Sequence, residues 1–304
     1  MKGHLVITHL FQAFTAACVN LLIQIVPFPV AVMIARSVGD MAYFILRKRR
    51  VIAISNIKKA LGDSALIEQR KWLVQSSFRN IALSIVDLFL IEKVRRRANK
   101  VFEIEGLEFY KKALALGRGV VLVTSHLGSW EYLAFLFYLT ETRCSVVVKS
   151  LKNPHIDYRV NLARKKTNLN PIAKKDSIRS VLKELKNRNT VAILIDQWAG
   201  HEGVWQKFFG EETSTTSLPA RLAKRTGAAL LPAFCLRQPG GKYKIIIHPP
   251  LVANFSEEKS EEVITKRLNE TLEGMILRYP DQWIWTHRRW KSKPDSTRHQ
   301  EHAG

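Results

Sequence analysis

The sequence predicts an α/β fold: a mostly parallel central sheet flanked by helices, preceded by an apolar helical segment that anchors the chain to a membrane. Three observations carry this. From residue 101 on, apolar and largely β-branched runs at 101–104, 120–124, 145–148, 191–195, 229–234 and 243–247 alternate with helical stretches, the rhythm of parallel strands joined by crossovers. A chain of 304 residues with 46% hydrophobic content can bury a sizeable core. Residues 5–34 are almost continuously apolar, which is long enough to span a bilayer.

The apolar run has Lys2 in front and Arg36, Arg47, Lys48, Arg49 and Arg50 behind, so the heavier positive flank keeps the rest of the chain on the cytoplasmic face. His9, Gln12, Asn20, Gln24, Pro27 and Pro29 interrupt it, and both a tilted span and an interfacial helix-break-helix fit. A cleaved signal peptide and a buried pair of core helices are the competing readings. Residues 51–99 read as amphipathic helices, with Ile52, Ile54, Ile57 and Leu61 on one stripe. The expected organisation is therefore an anchor with a basic flank over 1–50, a catalytic domain over 51–293 whose helical lead-in is 51–99, and a polar tail over 294–304.

Lys and Arg number 48 against 26 Asp and Glu, a net charge of +22. Such an excess favours nucleic acid, an anionic membrane or an acidic protein as partner. No recognisable nucleic-acid-binding module accompanies it, so a basic, membrane-attached nucleic-acid binder stands only as an alternative of a different class. Cys18, Cys144 and Cys235 form neither a zinc spacing nor a disulfide framework, and His201-Glu202 lacks the second His of a zincin helix. No metal and no cofactor are expected.

The chemistry concentrates at His126. Residues 119–125 read as a buried strand ending in Ser125, and residues 131–139 as a buried helix with Ser129 as N-cap. The imidazole then sits at the carboxyl end of a strand, where open α/β sheets place their chemistry. On one continuous helix His126 and Glu131 would point roughly 140° apart. A bend at Gly128 leaves His126 on the loop and raises Glu131 from the first helical turn, where its carboxylate can hold one ring nitrogen and leave the other free as a base. A strand-end histidine satisfying a backbone group is the plain alternative. Downstream, Lys149, Asn153, Arg159 and Arg164 follow a strand, either as phosphate ligands or as a basic helix face. Asp196-Gln197 falls at another strand end, level with His126 if the strands run parallel, and on its own would pass for a cap or a loop carboxylate. Phe208-Phe209 line a groove or pack a core, and residues 213–217 approach an acceptor or belong to an ordinary polar loop. The run 279–290, with Trp283, Trp285 and Trp290, is a cap on the sheet or a membrane-interface patch.

Taken in order, the blocks from Gly117 to Glu131, Asp196-Gln197, Phe208-Phe209-Gly210, 218–232 (LPARLAKRTGAALLP) and 279–290 resemble the lysophospholipid acyltransferase superfamily. The likeness is closest to its bacterial lipid A (lauroyl/myristoyl) acyltransferase branch. Ser129 stands where that branch usually has Asn, and Lys149 where Arg is common. The resemblance implies a glycerol-3-phosphate acyltransferase-like fold and direct acyl transfer, with His126 and Glu131 catalytic. It implies Gly128, Lys149, Arg159, Arg164, Asp196 and Gln197 as substrate-binding residues. Loop amides near Gly128 or the Arg164 side chain would meet the oxyanion. The implied donor is acyl carrier protein or acyl-CoA, the acceptor a phosphorylated lipid, and the location the inner membrane with catalysis on its cytoplasmic face. Acyl-CoA-dependent acylation of a lysophospholipid or glycolipid is the variant within the superfamily.

Overall fold

The computed structural model describes residues 8, 9, 12, 14, 15, 21–62, 67–173, 177–251 and 260–291. Lys2, Cys18, Asn20 and the tail 294–304 lie outside them. Strands β1 (Phe102–Glu105), β2 (Val120–Thr124), β3 (Cys144–Val148), β4 (Leu169–Ala173), β5 (Thr190–Leu194), β8 (Ala229–Gln238) and β9 (Lys242–Ile247) form one sheet in the order β1-β9-β8-β2-β5-β3-β4. Every neighbouring pair is parallel except β8 with β9. The expected mostly parallel sheet is therefore the observed one. β2 lies at its centre, fully buried along its length, which is why its first four residues, Val120–Val123, are apolar without alternation.

Alternation of side chains across the sheet divides the interior in two. Val121, Val123, Val191, Ile193 and Leu230 face one core, closed by α2 (Arg47–Leu61), α3 (Ile67–Arg95), α8 (Ser177–Lys186), α9 (Leu218–Thr226) and α10 (Glu261–Arg278). Val120, Leu122, Ala192 and Leu231 face the other, closed by α1 (Phe28–Ile45), the second half of α3, the single turn α4 (Ala98–Val101), α5 (Leu107–Ala115) and α6 (Phe135–Leu139). Between β3 and β4 runs α7 (Pro154–Lys165), in which no residue is buried.

Three features escape the periodicity. β4 contains Asn170-Pro171 and occupies the sheet edge, the place where a strand tolerates proline. The hairpin of β6 (Val204–Phe208) and β7 (Glu211–Thr215) turns at Phe209-Gly210, both at positive φ. The helix expected after Ser129 begins as a 3-10 turn, Trp130–Ala134, before α6, and the Ser129 hydroxyl does not cap it.

In the amino-terminal part, residues 21–25 are helical, the chain breaks ahead of Pro27, and α1 then lies along α3. Asp40 of α1 takes Arg79 of α3 in a two-pronged ion pair at 2.6 and 2.9 Å. The helices approach most closely at Gly39, where an added Cβ would lie 2.6 Å from the Arg79 Cα. Gly39→Leu is expected to push the helices apart and cost about 1–3 kcal/mol, read as a lowered midpoint of thermal unfolding. An unchanged midpoint would show that α1 does not depend on this contact. The outward face of α1 exposes Met33, Ile34, Met41 and Phe44, and by length and composition α1 and α3 could each cross a membrane.

Candidate active site

Backbone bonds fix the loop that carries the imidazole. The Ile195 amide donates to the Thr124 carbonyl at 3.2 Å, so the chain leaves β2 and β5 side by side. Gly128 turns the loop at φ +65°. Its amide donates to the Gln282 carbonyl at 2.9 Å, and the Ser129 amide to the Cys235 carbonyl at 2.8 Å. A Cβ at Gly128 would sit 2.2 Å from the Cys235 carbonyl oxygen, so both conformation and space demand glycine. Gly128→Ala is expected to cost about 1–3 kcal/mol in backbone strain, with the clash in addition. It should also displace His126 and lower activity; crystallography and turnover together check this, and an undisturbed loop with full activity would refute it.

With the two strand ends level, His126 meets Asp196. The His126 Nδ1 lies 2.9 Å from Asp196 Oδ1, while the His126 backbone N–H donates to Oδ2 at 2.9 Å and the Trp283 indole N–H donates to the same oxygen at 3.0 Å. Asp196 is 3% exposed and the His126 side chain 22%. Burial opposes charge on both, but their mutual attraction outweighs it: the Asp196 carboxyl is held at about 2 and His126 is pushed above its ordinary value. An ionised Asp196 only accepts, so in the neutral ring the proton sits on Nδ1 and Nε2 keeps its lone pair. Nε2 faces the exposed Gln197 side-chain amide at 3.5 Å, and the ring meets Trp130 edge-on at 5.2 Å.

Glu131 goes elsewhere, which corrects the expected contact. The 3-10 turn after Gly128 carries it toward α7, where Arg164 donates Nη2–H to Oε1 at 2.7 Å and Nε–H to Oε2 at 3.0 Å. The carboxylate that bonds the imidazole is Asp196, one strand over; Glu131 acts on His126 only as a nearby negative charge. The loop amides of Gly128 and Ser129 are likewise committed to carbonyls, which corrects their expected role as oxyanion donors. The exposed Gln197 side-chain amide stands beside Nε2, and Arg164, with all three of its nitrogens donating to Glu131 or Asn161, lies behind Glu131. Lys149, just after β3, and Arg159, on α7, are exposed, and among the described residues neither bonds His126, Glu131 or Asp196. Phe208 is fully buried against Phe209, Trp283 and Trp290, so it packs core. Thr213, Ser214 and Thr215 are buried too, which takes them out of reach of an acceptor.

A family model described as bacterial lipid A biosynthesis acyltransferase matches residues 1–292. The chain belongs to that family. Among curated relatives, it is 27% identical over 273 residues to the lipid A biosynthesis lauroyltransferase of Escherichia coli (strain K12), covering 88% of each chain. It is 26% identical over 272 residues to the palmitoleoyltransferase of the same organism, covering 88% of this chain and 87% of that one. A phosphatidylinositol mannoside acyltransferase of Mycobacterium tuberculosis (strain CDC 1551 / Oshkosh) is 28% identical over 203 residues, covering 65% of this chain and 62% of its own. Among solved structures, a 1-acyl-sn-glycerophosphate acyltransferase from Thermotoga maritima aligns with TM-score 0.39 and 17% identity over 84% of this chain and 100% of its own. Membership makes the chain an O-acyltransferase.

In this lipid A acyltransferase family member, further residues brace the site beyond those expected to be catalytic or substrate-binding. Trp283 serves as an indole donor to Asp196 while also belonging to the Trp-rich cap expected over the sheet. Arg289 is fully buried: its Nη1 donates to the Gln197 carbonyl at 2.9 Å and the Ser214 carbonyl at 2.8 Å, its Nη2 to the Thr215 hydroxyl at 2.6 Å. It thereby ties the loop after β5 to the hairpin. Beneath Gly128, Asp87 of α3 and Arg237 of β8 form a buried ion pair, and the Ser129 hydroxyl donates to Asp87 at 2.5 Å. A conspicuous "W-x-W" followed by Arg pointed toward the first two. Nothing local in the sequence pairs Asp87 with Arg237.

Proposed function

We propose that this acyltransferase moves a fatty acyl group from the thioester of acyl carrier protein to a hydroxyl of a lipid A precursor, with His126 as general base. The observation that carries this reading is the imidazole held at Nδ1 by a buried, ionised Asp196, with Nε2 turned outward beside Gln197. Nε2 accepts the hydroxyl proton as the oxygen attacks the thioester carbonyl. The resulting tetrahedral oxyanion is met by the N–H donors of Gln197. Collapse breaks the C–S bond, and the departing thiolate takes the proton back from Nε2, leaving an ester and a free thiol. Glu131 keeps Arg164 in place and adds negative charge that favours the imidazolium. Lys149 and Arg159 supply exposed positive charge for a phosphorylated acceptor, and the net +22 suits both it and an acidic carrier protein. The basic flank at Arg36 and Arg47–Arg50 supports a catalytic domain at the cytoplasmic face of the inner membrane. The mannoside-acylating relative supports a second acceptor class, a glycolipid.

Mass spectrometry of lipid A and total lipids from a host lacking its own late acyltransferases, with and without this protein, tests the reading. Lipid A heavier by one acyl chain is the expected result; unaltered lipid A beside a newly acylated glycolipid or lysophospholipid would overturn it. Purified enzyme given acyl carrier protein and CoA thioesters of one acid separates the donors. Because the base must be neutral and its pKa is raised, kcat/KM is expected to climb with pH through a value above the ordinary histidine range. A profile flat from pH 6 to 9 would remove His126 as the base. Glu131→Gln is expected to lower kcat/KM and shift that rise to lower pH, because a negative charge near the ring is lost. An unshifted profile would show that Glu131 does not act through His126.

A further inference from the structure

Helix α7 carries apolar side chains on its outer side as well as on its inner one. None of its residues is buried, and Tyr158 and Leu162, one turn apart, are 68% and 46% exposed; Leu151 just before the helix is 48% exposed. Lys152, Arg159 and Lys165 are exposed alongside them. Ile156, Val160 and Ala163 already supply a half-buried apolar side, so Tyr158 and Leu162 are apolar surface beyond what packing this helix needs. Both ends are tethered. At its start the Asn153 side chain accepts from the His155 and Ile156 amides and donates to the His9 carbonyl and the Gln12 side chain of the amino-terminal segment. At its end Lys166 pairs with Glu92 of α3 at 3.2 Å. Described residues of the amino-terminal segment, Phe14, Leu21, Leu22 and Ile25, are themselves strongly exposed, so the segment to which Asn153 ties α7 also presents apolar side chains outward.

We propose that α7 lies on an anionic bilayer as a second membrane contact, with Tyr158 and Leu162 at the acyl boundary and Lys152, Arg159 and Lys165 among the headgroup phosphates. Apolar side chains flanked by Lys and Arg suit such an interface, and the tether to an amino-terminal segment that is itself exposed and apolar favours lipid over a protein partner. The inner side of the same helix carries Arg164, which grips Glu131 beside His126. Seating α7 on the bilayer therefore sets the catalytic end of the sheet at headgroup depth, within reach of a hydroxyl on a lipid that never leaves the membrane. The inference rests on the acyltransferase reading only for the identity of that lipid.

Nitroxide labels on Tyr158→Cys and Leu162→Cys, and on Asn187→Cys near the amino end of β5 as control, test it in the full chain with Cys18→Ser. The protein is bound to vesicles of phosphatidylethanolamine and phosphatidylglycerol. Expected are relaxation by oxygen over a water-soluble nickel chelate at 158 and 162, and the reverse at 187. Equal nickel access at all three positions, or a chain that fails to sediment with the vesicles, overturns the contact. Shielding of 158 and 162 by acyl carrier protein without vesicles assigns the face to a protein and overturns it too. Tyr158→Asp with Leu162→Asp should raise KM for a vesicle-borne acceptor roughly tenfold or more while leaving kcat toward a detergent-dispersed acceptor unchanged. Aqueous labels beside intact lipid A acylation would sink the α7 contact alone. Bilayer-buried labels without lipid A acylation would sink the substrate assignment alone.

Discussion

Replacing His126 by alanine is expected to lower turnover by about 10²–10⁴-fold, the usual worth of a positioned general base. The side chain lies at the mouth of the site and is partly exposed, and the fold around it is held by backbone bonds from Gly128 and Ser129 that the substitution leaves intact. The midpoint of thermal unfolding should therefore move little, although Asp196 loses one of its partners. Turnover near the native level in a well-folded His126→Ala protein would remove the imidazole from the mechanism.

Asp196→Asn is expected to be nearly as severe, for a different reason. Oδ2 of Asp196 receives two donors, the His126 backbone N–H and the Trp283 indole, whereas Oδ1 faces only the imidazole. An asparagine that keeps its oxygen for the two donors must turn its NH2 toward Nδ1. Nδ1 then becomes the acceptor, the ring proton moves to Nε2, and the base has no lone pair to offer. The same tautomer error in a serine-protease triad costs about 10⁴-fold in kcat, which sets the scale. Loss of the anion should also lower the His126 pKa, so residual activity should begin its rise at lower pH than in the native enzyme. If Asp196→Asn costs less than Glu131→Gln, the carboxylate that matters is Glu131 after all.

The difference between these carboxylates shows where sequence reading reached and where it stopped. Strand β2 was legible because burial on both faces writes itself as an unbroken apolar run, and the level placement of His126 and Asp196 followed from parallel strands. The partner of the imidazole was not legible. Glu131 is close along the chain, but proximity in sequence says nothing about the direction a 3-10 turn gives a side chain, and that direction led to Arg164. β4 was hidden by its proline, and the β6–β7 hairpin by its polar second strand. Asp87 and Arg237 lie far apart in sequence, so only the packing of α3 against β8 could join them.

The indole that satisfies Asp196 arrives from Trp283, long after the chain has passed His126 and Asp196 themselves. While the polypeptide is still emerging from the ribosome, the carboxylate has only the two donors of His126, and the loop lacks the Gln282 carbonyl that steadies Gly128. The centre thus has its full set of contacts only once the later segment has docked. A nascent chain stalled before Trp283 should show no transfer even with its β2 and β5 ends complete.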